Sequence, residues 1–535
     1  MINYAVKLGV SILVVGILIT ACTGEADLFN SPTEADLFNS PTEAFLCDLP
    51  SNYTEYFVST TGDDNSDGSE SSPWKGIQKS IEKLKPGNIL TIADGFYLEN
   101  VKPTISGNST DPIIIRAENP FKVVIDGDSQ GPALDITEVS YLYFEGFRLQ
   151  NAGEKATLEI NSRDGQPSTG NTDTHHIFMS KMAIQGSCLN KNCNGILIAR
   201  SNDVLFADSW IYGAGRYTVS IYGSRNINLR RVVIRWDEWI GADYKPDDPR
   251  QALGIYNTHD SLFENIVIID AGEKPSGTAG DKGAVLLAGG DNGDTAPFTG
   301  SENNRFYGLV IHNNNGHGIA LSGRSTPHNL NYFENSIVYN NTKRGLTINK
   351  RVEFTTFNNM SVINNPDGGY GNFSSETTGN ILKNSLILDN GSNAISGEVT
   401  NNYNVVFGNN DNGSLGEQSI SIDPQLLYVF KNDTVPLLNN PGDNDKARGA
   451  NLLFRYYGGI ESKQHLWPWL YEDLIKKDFC DQTTLNELGR TGANSAKWCD
   501  SSATLSRYLF EASTNQTCPN NICDLDAEKP TCSIE

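Results

Sequence analysis

Short apolar runs alternate with Asn- and Gly-rich corners between residues 195 and 351. GILIARSNDVLFADSWIYG, TVSIYGSRNINLRRVVIRW and LGIYNTHDSLFENIVIID are successive lines of this pattern. The shortest repeat, from Ile198 to Ile221, is about 23 residues, and inserted loops lengthen other repeats. A minimal period of this length is typical of a solenoid with room for three short strands per turn. The chain therefore predicts an all-β fold, a right-handed parallel β-helix. One aligned column of the repeats consists of Val233, Val267, Val310, Val338 and Val362.

A short amphipathic segment precedes the coils. Trp74, Ile77, Ile81 and Leu84 recur at helical spacing, with Pro73 at the start and a Pro-Gly pair after the last turn. The open end of a β-helix leaves an unpaired strand edge and an apolar lumen that must be covered. We therefore predict an N-terminal capping helix.

The C-terminal fifth of the chain differs from the repeats. We assign residues 51–435 to the β-helix and residues 436–535 to a small cysteine-containing cap or appendage. Trp467 and Trp469 in this region either cover apolar surface or stack on a sugar. Five cysteines there, at positions 480, 499, 518, 523 and 532, predict disulfides in an exported protein. Cys188–Cys193 is the one disulfide for which we predict both partners.

The N-terminus predicts export. Residues 1–21 form a signal peptide with Lys7 before an apolar run, and the ending Ile19-Thr20-Ala21-Cys22 resembles a bacterial lipobox. That resemblance implies cleavage before Cys22 and a lipid on that cysteine. The alternative is an ordinary signal peptide with an incidental cysteine. Residues 22–50 then form an acidic tether with a duplicated EADLFNSPT. We expect a protein of the cell envelope, at the outer membrane or cell surface, whose lipid anchor alone contacts the membrane.

The net charge of the chain restricts the classes of molecule that it can bind. The formal charge of the 535-residue chain is −23 at pH 7, which argues against nucleic acid, because phosphate binding requires a basic face. Binding of an acidic polysaccharide would therefore depend on a local basic surface. We expect a monomer, since a solenoid buries its core by adding turns rather than by assembling with copies.

The segment that opens the coils is similar to a known superfamily. YFVSTTGDDNSDGSESSPWKGIQKSIEKLKPGNILTIADGFYLEN resembles the start of bacterial pectate-lyase-like β-helix proteins, and the resemblance extends over roughly residues 53–435. It implies a protein that cleaves a uronate-containing polysaccharide by β-elimination. In one calcium-dependent pectate lyase family a lysine lies inside a Gly-rich strand that resembles GHGIALSG. Here Ala320 occupies that place, so that family's base is absent.

Laying the coils in register predicts a basic rim beside one sheet. Five residues before the second apolar position of each strand, four of five coils carry a basic residue: Arg216, Arg250, Lys282 and Lys343. Such a ladder is either a solvated surface or a binding site for an anion, because stacked like charges repel. The strands used for this alignment carry the apolar pairs Val219/Ile221, Leu253/Ile255, Val285/Leu287, Ile319/Leu321 and Leu346/Ile348.

The floor and the opposite rim of this sheet supply further candidate contacts. Outward positions include Tyr222 and Tyr256 among small residues, a floor that suits sugar rings. His317 and Arg324 lie just before and just after the apolar pair Ile319/Leu321 of a later coil. We predict that these residues bind substrate, together with Arg216, Lys343 and the tryptophans of the adjacent insertion.

The insertion at residues 236–250 carries two kinds of side chain. Trp236 and Trp239 suit stacking on sugars, whereas Asp243, Asp247 and Asp248 offer the hard oxygen ligands that Ca²⁺ prefers. The alternative is a solvated acidic loop without a metal. Calcium is the one cofactor that the sequence suggests.

The resemblance also implies catalytic roles. Lyases of this superfamily neutralise the uronate carboxylate and use a lysine or arginine to remove the neighbouring proton. We assign the base to Lys282, whose cationic neighbours would lower its pKa, and the carboxylate contact to Arg250. Three alternatives remain open: a uronate epimerase, which shares the proton abstraction, a glycoside hydrolase, and a non-catalytic polysaccharide-binding or adhesin-like surface protein.

Overall fold

The structure, a computed structural model, describes a β-rich chain with gaps. The described residues are 53–153, 155–163, 173–186, 193–214, 217–235, 251–270, 283–289, 299–323, 327–430, 438, 442, 447–481, 483, 497–514, 518 and 520–523. Within them, no helix is long and apolar enough to cross a membrane. The predicted signal peptide, the tether and the boundary at residue 435 lie outside this part of the chain and stay predictions.

Three parallel strips of strands wind around one apolar lumen, which confirms the predicted parallel β-helix. Most coils contribute a strand to each strip, and every described strand pairing between coils is parallel. The strands of strip 1 are β1 (Thr54–Val58), β2 (Asn88–Ile92), β4 (Ile113–Ala117), β7 (Ser140–Glu145), β10 (His175–Ser180), β13 (Asn202–Tyr212), β15 (Arg225–Ile234), β17 (Leu262–Ile269), β19 (Arg305–Tyr307), β23 (Tyr332–Glu334), β27 (Thr356–Asn358), β30 (Ile381–Lys383) and β33 (Thr400–Asn402).

Strip 2 follows strip 1 around a corner, and β13, β15 and β17 continue through that corner into it. Its other strands are β3 (Gly95–Leu98), β5 (Val123–Asp126), β8 (Phe147–Gln150), β11 (Ala183–Gln185), β20 (Val310–His312), β24 (Ile337–Tyr339), β28 (Ser361–Ile363), β31 (Leu386–Leu388) and β34 (Val405–Phe407).

Strip 3 is a separate ten-stranded sheet. It consists of β6 (Leu134–Thr137), β9 (Ala156–Asn161), β12 (Asn194–Ala199), β14 (Tyr217–Tyr222), β16 (Gln251–Tyr256), β18 (Gly283–Ala288), β21 (His317–Ser322), β25 (Leu346–Ile348), β29 (Tyr370–Asn372) and β32 (Ile395–Ser396). Two short corner strands, β22 (His328–Asn329) and β26 (Val352–Glu353), pair with each other.

The register of strip 3 is the one predicted from the apolar pairs. Ile221 pairs with Ile255, Ile255 with Leu287, Leu287 with Leu321, and Leu321 with Ile348. The same method failed once in strip 2. The predicted column places Val338 beside Val310, but the structure pairs Val338 with Ile311.

The reason for this error is that strip 2 is apolar on both faces. Val310 faces outward, into the cluster formed with the C-terminal region, whereas Val338 faces the lumen. A shift of one residue exchanges the two faces of a strand. Where both faces are buried, the apolar pattern cannot detect that shift.

Single residues in the left-handed αL conformation form the corners of the coils. Between strips 1 and 2 the corner residue has φ near 50° in successive coils, for example 48° at Asp208, 51° at Asn265 and 50° at Asn335. This conformation is strained for most side chains, but Asn, Asp and Gly tolerate it. The Asn- and Gly-rich composition between the apolar runs follows from this requirement.

A ladder of buried asparagines fixes the corner after strip 2. The Oδ1 atom of Asn341 accepts the backbone N–H and the side-chain amide of Asn314, at 3.1 and 3.0 Å. Asn365 does the same for Asn341, and Asn390 for Asn365. The Asn365 amide also donates to the carbonyl of Val338 at 3.1 Å. These side chains satisfy backbone groups that bend away from the strand ladders inside the lumen.

Stacked rings continue this regularity in strip 1. Phe263, Phe306, Phe333 and Phe357 lie on four successive coils with centroids 4.6, 4.3 and 5.0 Å apart and nearly parallel planes. At the N-terminal end, α1 (Ile77–Ile81) closes the lumen with its apolar side, as predicted. The Glu99 carboxylate accepts the N–H groups of the first two helical residues.

The C-terminal region, which we call the strap (described residues 447–523), lies along the outer face of strip 2. It contains an antiparallel hairpin of β35 (Phe454–Tyr457) and β36 (Ile460–His465), followed by α2 (Glu472–Cys480), α3 (Leu505–Thr514) and α4 (Asn520–Cys523). Disulfides join Cys480 to Cys499 and Cys518 to Cys523. Cys193 is also disulfide-bonded. Its predicted partner, Cys188, lies outside the described residues.

Corner side chains bind the backbone of the strap. Asn335 exchanges two hydrogen bonds with Asn451, and the Asn265 Oδ1 atom accepts the N–H of Tyr456 at 2.7 Å. Further along, Asp478 of α2 accepts from Arg148 and from Trp210 Nε1. From residue 447 to α2 the strap therefore runs from the late coils back toward the early ones, whereas α3 again contacts later coils through Tyr339.

Aromatic side chains fill the space beneath the strap. Trp467 and Trp469 are 2% and 4% exposed within this contact, so they cover apolar surface and do not stack on a sugar. His312 also lies there, stacked on Tyr339 at 4.1 Å. Burial lowers the pKa of His312 to about 4, so its imidazole is neutral at physiological pH.

Replacing Asn341 with alanine tests the asparagine ladder. The buried backbone N–H of Asn314 would lose its acceptor, and the Ile311 carbonyl and the Asn365 Oδ1 atom would each lose a donor. Each unsatisfied buried group costs about 1–3 kcal/mol. We expect Asn341→Ala to lower the free energy of unfolding by about 3 kcal/mol in urea titrations. Asn315→Ala, on the neighbouring and more exposed position, should change it by less than about 0.5 kcal/mol. Equal effects of the two substitutions would contradict a special role for the ladder.

Candidate functional site

The outward side chains of β14, β16, β18, β21, β25 and β29 form what we call the strip-3 face. The longest departures from the minimal coil flank this part of strip 3. Residues 235–250 precede β16 and 270–282 precede β18, whereas 289–304 follow β18. In the later coils only residues 340–345 and 364–369 precede β25 and β29. Insertions at both edges of a regular solenoid sheet mark a face used for function.

A break in strand alternation adds a column of side chains to this face. Thr218 and Val219 both face the lumen, as do Ala252 and Leu253 in the next coil. Later coils have Gly318 and Gly345 at the first of these positions, where a Cβ atom would meet the side chains of strip 2. The preceding residue of each coil is therefore directed outward. This column contains Tyr217, Gln251, Gly283, His317 and Arg344.

Two tyrosines form one end of the face. The hydroxyl groups of Tyr217 and Tyr256 lie 3.2 Å apart, and their rings meet edge to face with centroids 6.0 Å apart. Gly254 lies directly beneath them, since a Cβ atom there would be 3.1 Å from the Tyr256 ring and 3.2 Å from the Tyr217 ring. The absence of a side chain at Gly254 thus lets both rings lie against the sheet. Tyr222 lies beside Tyr256 on the preceding coil, in the same outward column.

An apolar patch separates the tyrosines from the polar end of the face. Leu286, Ala288 and Ala320 form it, with Tyr256 packed against its edge. They are 6%, 2% and 0% exposed although they face away from the lumen. The face is therefore recessed rather than an open surface.

The other end of the face carries an imidazole and a guanidinium. His317 Nδ1 lies 2.9 Å from Thr347 Oγ1 on the next coil, a contact that fixes the orientation of the ring. Arg344 follows His317 in the same column, and its guanidinium lies over the Phe373 ring at 5.1 Å. Burial lowers the pKa of the Arg344 side chain from its usual value. The sequence-based search missed Arg344 because it assigned the basic column to Lys343, one residue earlier.

Ion pairs neutralise the opposite rim in its described part. Arg225 pairs with Asp260 at 2.8 Å, and Arg351 pairs with Glu376 at 2.9 Å. His259 Nε2 lies 3.1 Å from the carbonyl of Gly300, and burial lowers its pKa. Described cations on that rim therefore already have partners in the protein.

Most predicted site residues lie outside the described part of the chain. The described ones are Tyr222, Tyr256, His317 and Lys343. Of these, Tyr222, Tyr256 and His317 belong to the strip-3 face, while Lys343 lies just before its Arg344 column. Their binding role stays a prediction. Outside the described residues lie Arg216, Trp236, Trp239, Asp243, Asp247, Asp248, Arg250, Lys282 and Arg324, as well as Cys22.

The described residues hold no group of three or more His, Cys, Asp or Glu side chains suited to a metal ion. The acidic turn near residue 64 uses its carboxylates within the protein: Asp64 accepts the N–H groups of Lys75 and Gly76 and pairs with Lys79. The predicted calcium ligands Asp243, Asp247 and Asp248 are not among the described residues.

Two family models match the chain. One, described as a Pel9A-like, right handed beta helix region, matches residues 56–215. The other, described as a right handed beta helix region, matches residues 180–378. The described chain is a right-handed parallel β-helix, and its first half matches a Pel9A-like model. The resemblance proposed from the opening segment and the coils is thereby confirmed. No curated protein sequence matches this chain.

Solved structures are similar to this chain at low sequence identity. A GH136 lacto-N-biosidase from Eubacterium ramulus is 12% identical, with a TM-score of 0.45 over 69% of this chain and 67% of that one. A mannuronan C-5 epimerase A-module from Azotobacter vinelandii is 13% identical, with a TM-score of 0.44 over 63% and 91%. Pectate lyase Pel9A is 14% identical, with a TM-score of 0.36 over 70% and 85%. These are likenesses of fold.

Proposed function

We propose that this β-helix binds an acidic, uronate-containing polysaccharide on the strip-3 face and cleaves it by β-elimination. The observation that carries the proposal is the composition of that face. Paired phenols, an apolar patch, an imidazole and a guanidinium succeed one another along a recessed sheet between two sets of insertions. Aromatic and apolar surface with a few polar groups is typical of ligand sites.

The direction of the site follows from the spacing of the coils. Neighbouring strands lie about 4.8 Å apart, so the face from β14 to β29 extends roughly 24 Å along the axis of the helix. This length accommodates several sugar units of a chain that runs across the strands. Tyr256 and the apolar patch would stack against sugar rings, while His317 and Arg344 would contact their polar groups.

β-Elimination requires three events at one uronate. The carboxylate must be neutralised, a base must take the proton from C5, and the bond from C4 to the glycosidic oxygen must break as a C4–C5 double bond forms. We assign the base to Lys282 and the carboxylate contact to Arg250, which directly precede β18 and β16 in the sequence. The leaving oxygen takes up a proton from water, and Lys282 returns the abstracted proton to solvent. If calcium binds Asp243, Asp247 and Asp248, it would supply further positive charge at the carboxylate.

Activity on a panel of polymers tests the reaction. We expect pectate, alginate, ulvan or a glycosaminoglycan to give a rise in ultraviolet absorbance from the unsaturated uronate, measured with and without calcium. Lys282→Ala should reduce the rate at least about 100-fold, because general-base catalysis contributes about 10²–10⁴. Lys122→Ala, an exposed lysine on an early coil, is the matched control.

The same assay separates the alternatives. Full activity of a stably folded Lys282→Ala variant would exclude this lysine as the base. New reducing ends without absorbance would indicate a hydrolase, and altered C5 stereochemistry without cleavage an epimerase. Binding without any reaction would indicate a polysaccharide-binding or adhesin-like protein.

Gly254→Val tests the location of the binding face. Its side chain would enter the space occupied by the rings of Tyr217 and Tyr256 and displace them from the sheet. We expect the affinity for the polymer to fall at least about 10-fold, which corresponds to 1.4 kcal/mol. Gly131→Val, where a Cβ atom would meet only the Asn100 side chain at 3.7 Å, should leave it unchanged. Unchanged binding of the Gly254 variant would move the site elsewhere.

We also propose that Cys22 carries a lipid that holds the protein in the cell envelope. The support is the sequence Ile19-Thr20-Ala21-Cys22 after an apolar segment. Cys22→Ser should abolish metabolic labelling with palmitate and release the protein from the membrane fraction. Cys47→Ser should keep both label and location. A labelled Cys22→Ser variant would contradict the lipid site.

A further inference from the structure

Arg344 is held on the strip-3 face by glycines of the two neighbouring coils. Its carbonyl accepts the N–H of Gly318 at 3.0 Å, which places it beside His317. Its side chain crosses Gly371, where a Cβ atom would lie 2.7 Å from both Cδ and Nε. Because Gly371 has no side chain, the arginine can lie flat along the sheet. Its guanidinium ends over Phe373, a ring that is 60% exposed.

This guanidinium lacks an ion-pair partner among the described residues. No carboxylate oxygen of the described chain lies within 4.0 Å of it, whereas Arg230 and Arg351 both have such a partner. Its one hydrogen bond to a described residue goes to the carbonyl of Tyr370, at 3.4 Å. Asp367 is the described carboxylate that acts on it electrostatically, from beyond ion-pair distance.

A partly buried guanidinium without an ion-pair partner among the described residues favours binding of an external anion. Arg344 is 9% exposed, so much of its hydration is lost, and desolvating a cation is costly unless an opposite charge compensates. Its planar fork can donate two parallel hydrogen bonds to one carboxylate, a geometry that an ammonium cannot reproduce. The Phe373 ring beneath it fixes the plane of that fork and stabilises the cation.

We propose that Arg344 binds the carboxylate of one uronate unit of the polysaccharide and determines the preference for acidic over neutral polymers. This assignment rests on the proposed function, and it places the carboxylate-selective subsite at the β25–β29 end of the strip-3 face. The bound unit would lie next to His317 and Thr347. Arg344 is here a specificity residue, separate from the proton abstraction assigned to Lys282.

The test compares each acidic polymer with its carboxyl-reduced form. The reduced polymer keeps the sugar rings and their stacking surface but lacks the charge. Full-length wild type should bind native polygalacturonate or alginate more tightly than the reduced form. Arg344→Gln should lower this native-to-reduced affinity ratio about 10-fold, through loss of native binding alone. Arg344→Lys should give an intermediate ratio, since it keeps the charge and loses the fork. Arg351→Gln, an arginine of the same region paired with Glu376 off the face, is the control and should keep the wild-type ratio.

The possible outcomes separate packing from recognition. Equal weakening of native and reduced polymers by Arg344→Gln, or an unchanged ratio, would overturn the assignment while leaving the proposed function intact. If wild type binds none of the native polymers, the proposed function fails and the Arg344 assignment fails with it. Melting temperatures of all variants show whether they fold. If Arg344→Gln does not fold, a wild-type ratio in a folded Arg344→Lys variant overturns the bidentate contact.

Discussion

The structure depends on satisfying backbone groups where the chain turns inside a closed lumen. In the ladder from Asn314 to Asn390, the Oδ1 atoms of Asn341, Asn365 and Asn390 each accept two donors from the preceding coil, and the side-chain amides donate to the following coil or to strip 2. Such contacts form only when successive coils lie in one register. A polar interaction thus provides the precision that non-directional apolar burial lacks.

That register produces order on the outside as well. Because equivalent residues of successive coils lie above one another, one position of the repeat forms a column of side chains on a face. The column through Tyr217, His317 and Arg344 exists because small residues beside it, such as Gly318 and Gly345, face the asparagine corner. The lumen therefore determines which side chains reach the candidate site.

Much of the fold could be predicted from the sequence, because the period, the αL-tolerant corner residues and the capping helix are all local signals. The register of strip 3 was predictable too, since only one of its faces carries a continuous apolar column. Val338 was misplaced because the strap covers the outer face of strip 2 and makes both faces apolar. Arg344 was missed because strict alternation does not anticipate two consecutive inward residues. Its proximity to Phe373 depends on coil stacking, which no local pattern encodes.

The order of the strap in the chain has a consequence for how the protein folds during synthesis. The described residues of the strap cover apolar side chains of coils that are synthesised much earlier, among them Trp210 and Val267. Arg148, near the start of the coils, meets its partner Asp478 only when almost the whole chain has been synthesised. The coils can therefore form one after another. The apolar outer face of strip 2 stays exposed until the strap has been synthesised. A chain that ends before the strap would form a β-helix with this apolar face exposed. Such a species is prone to self-association and to binding by chaperones.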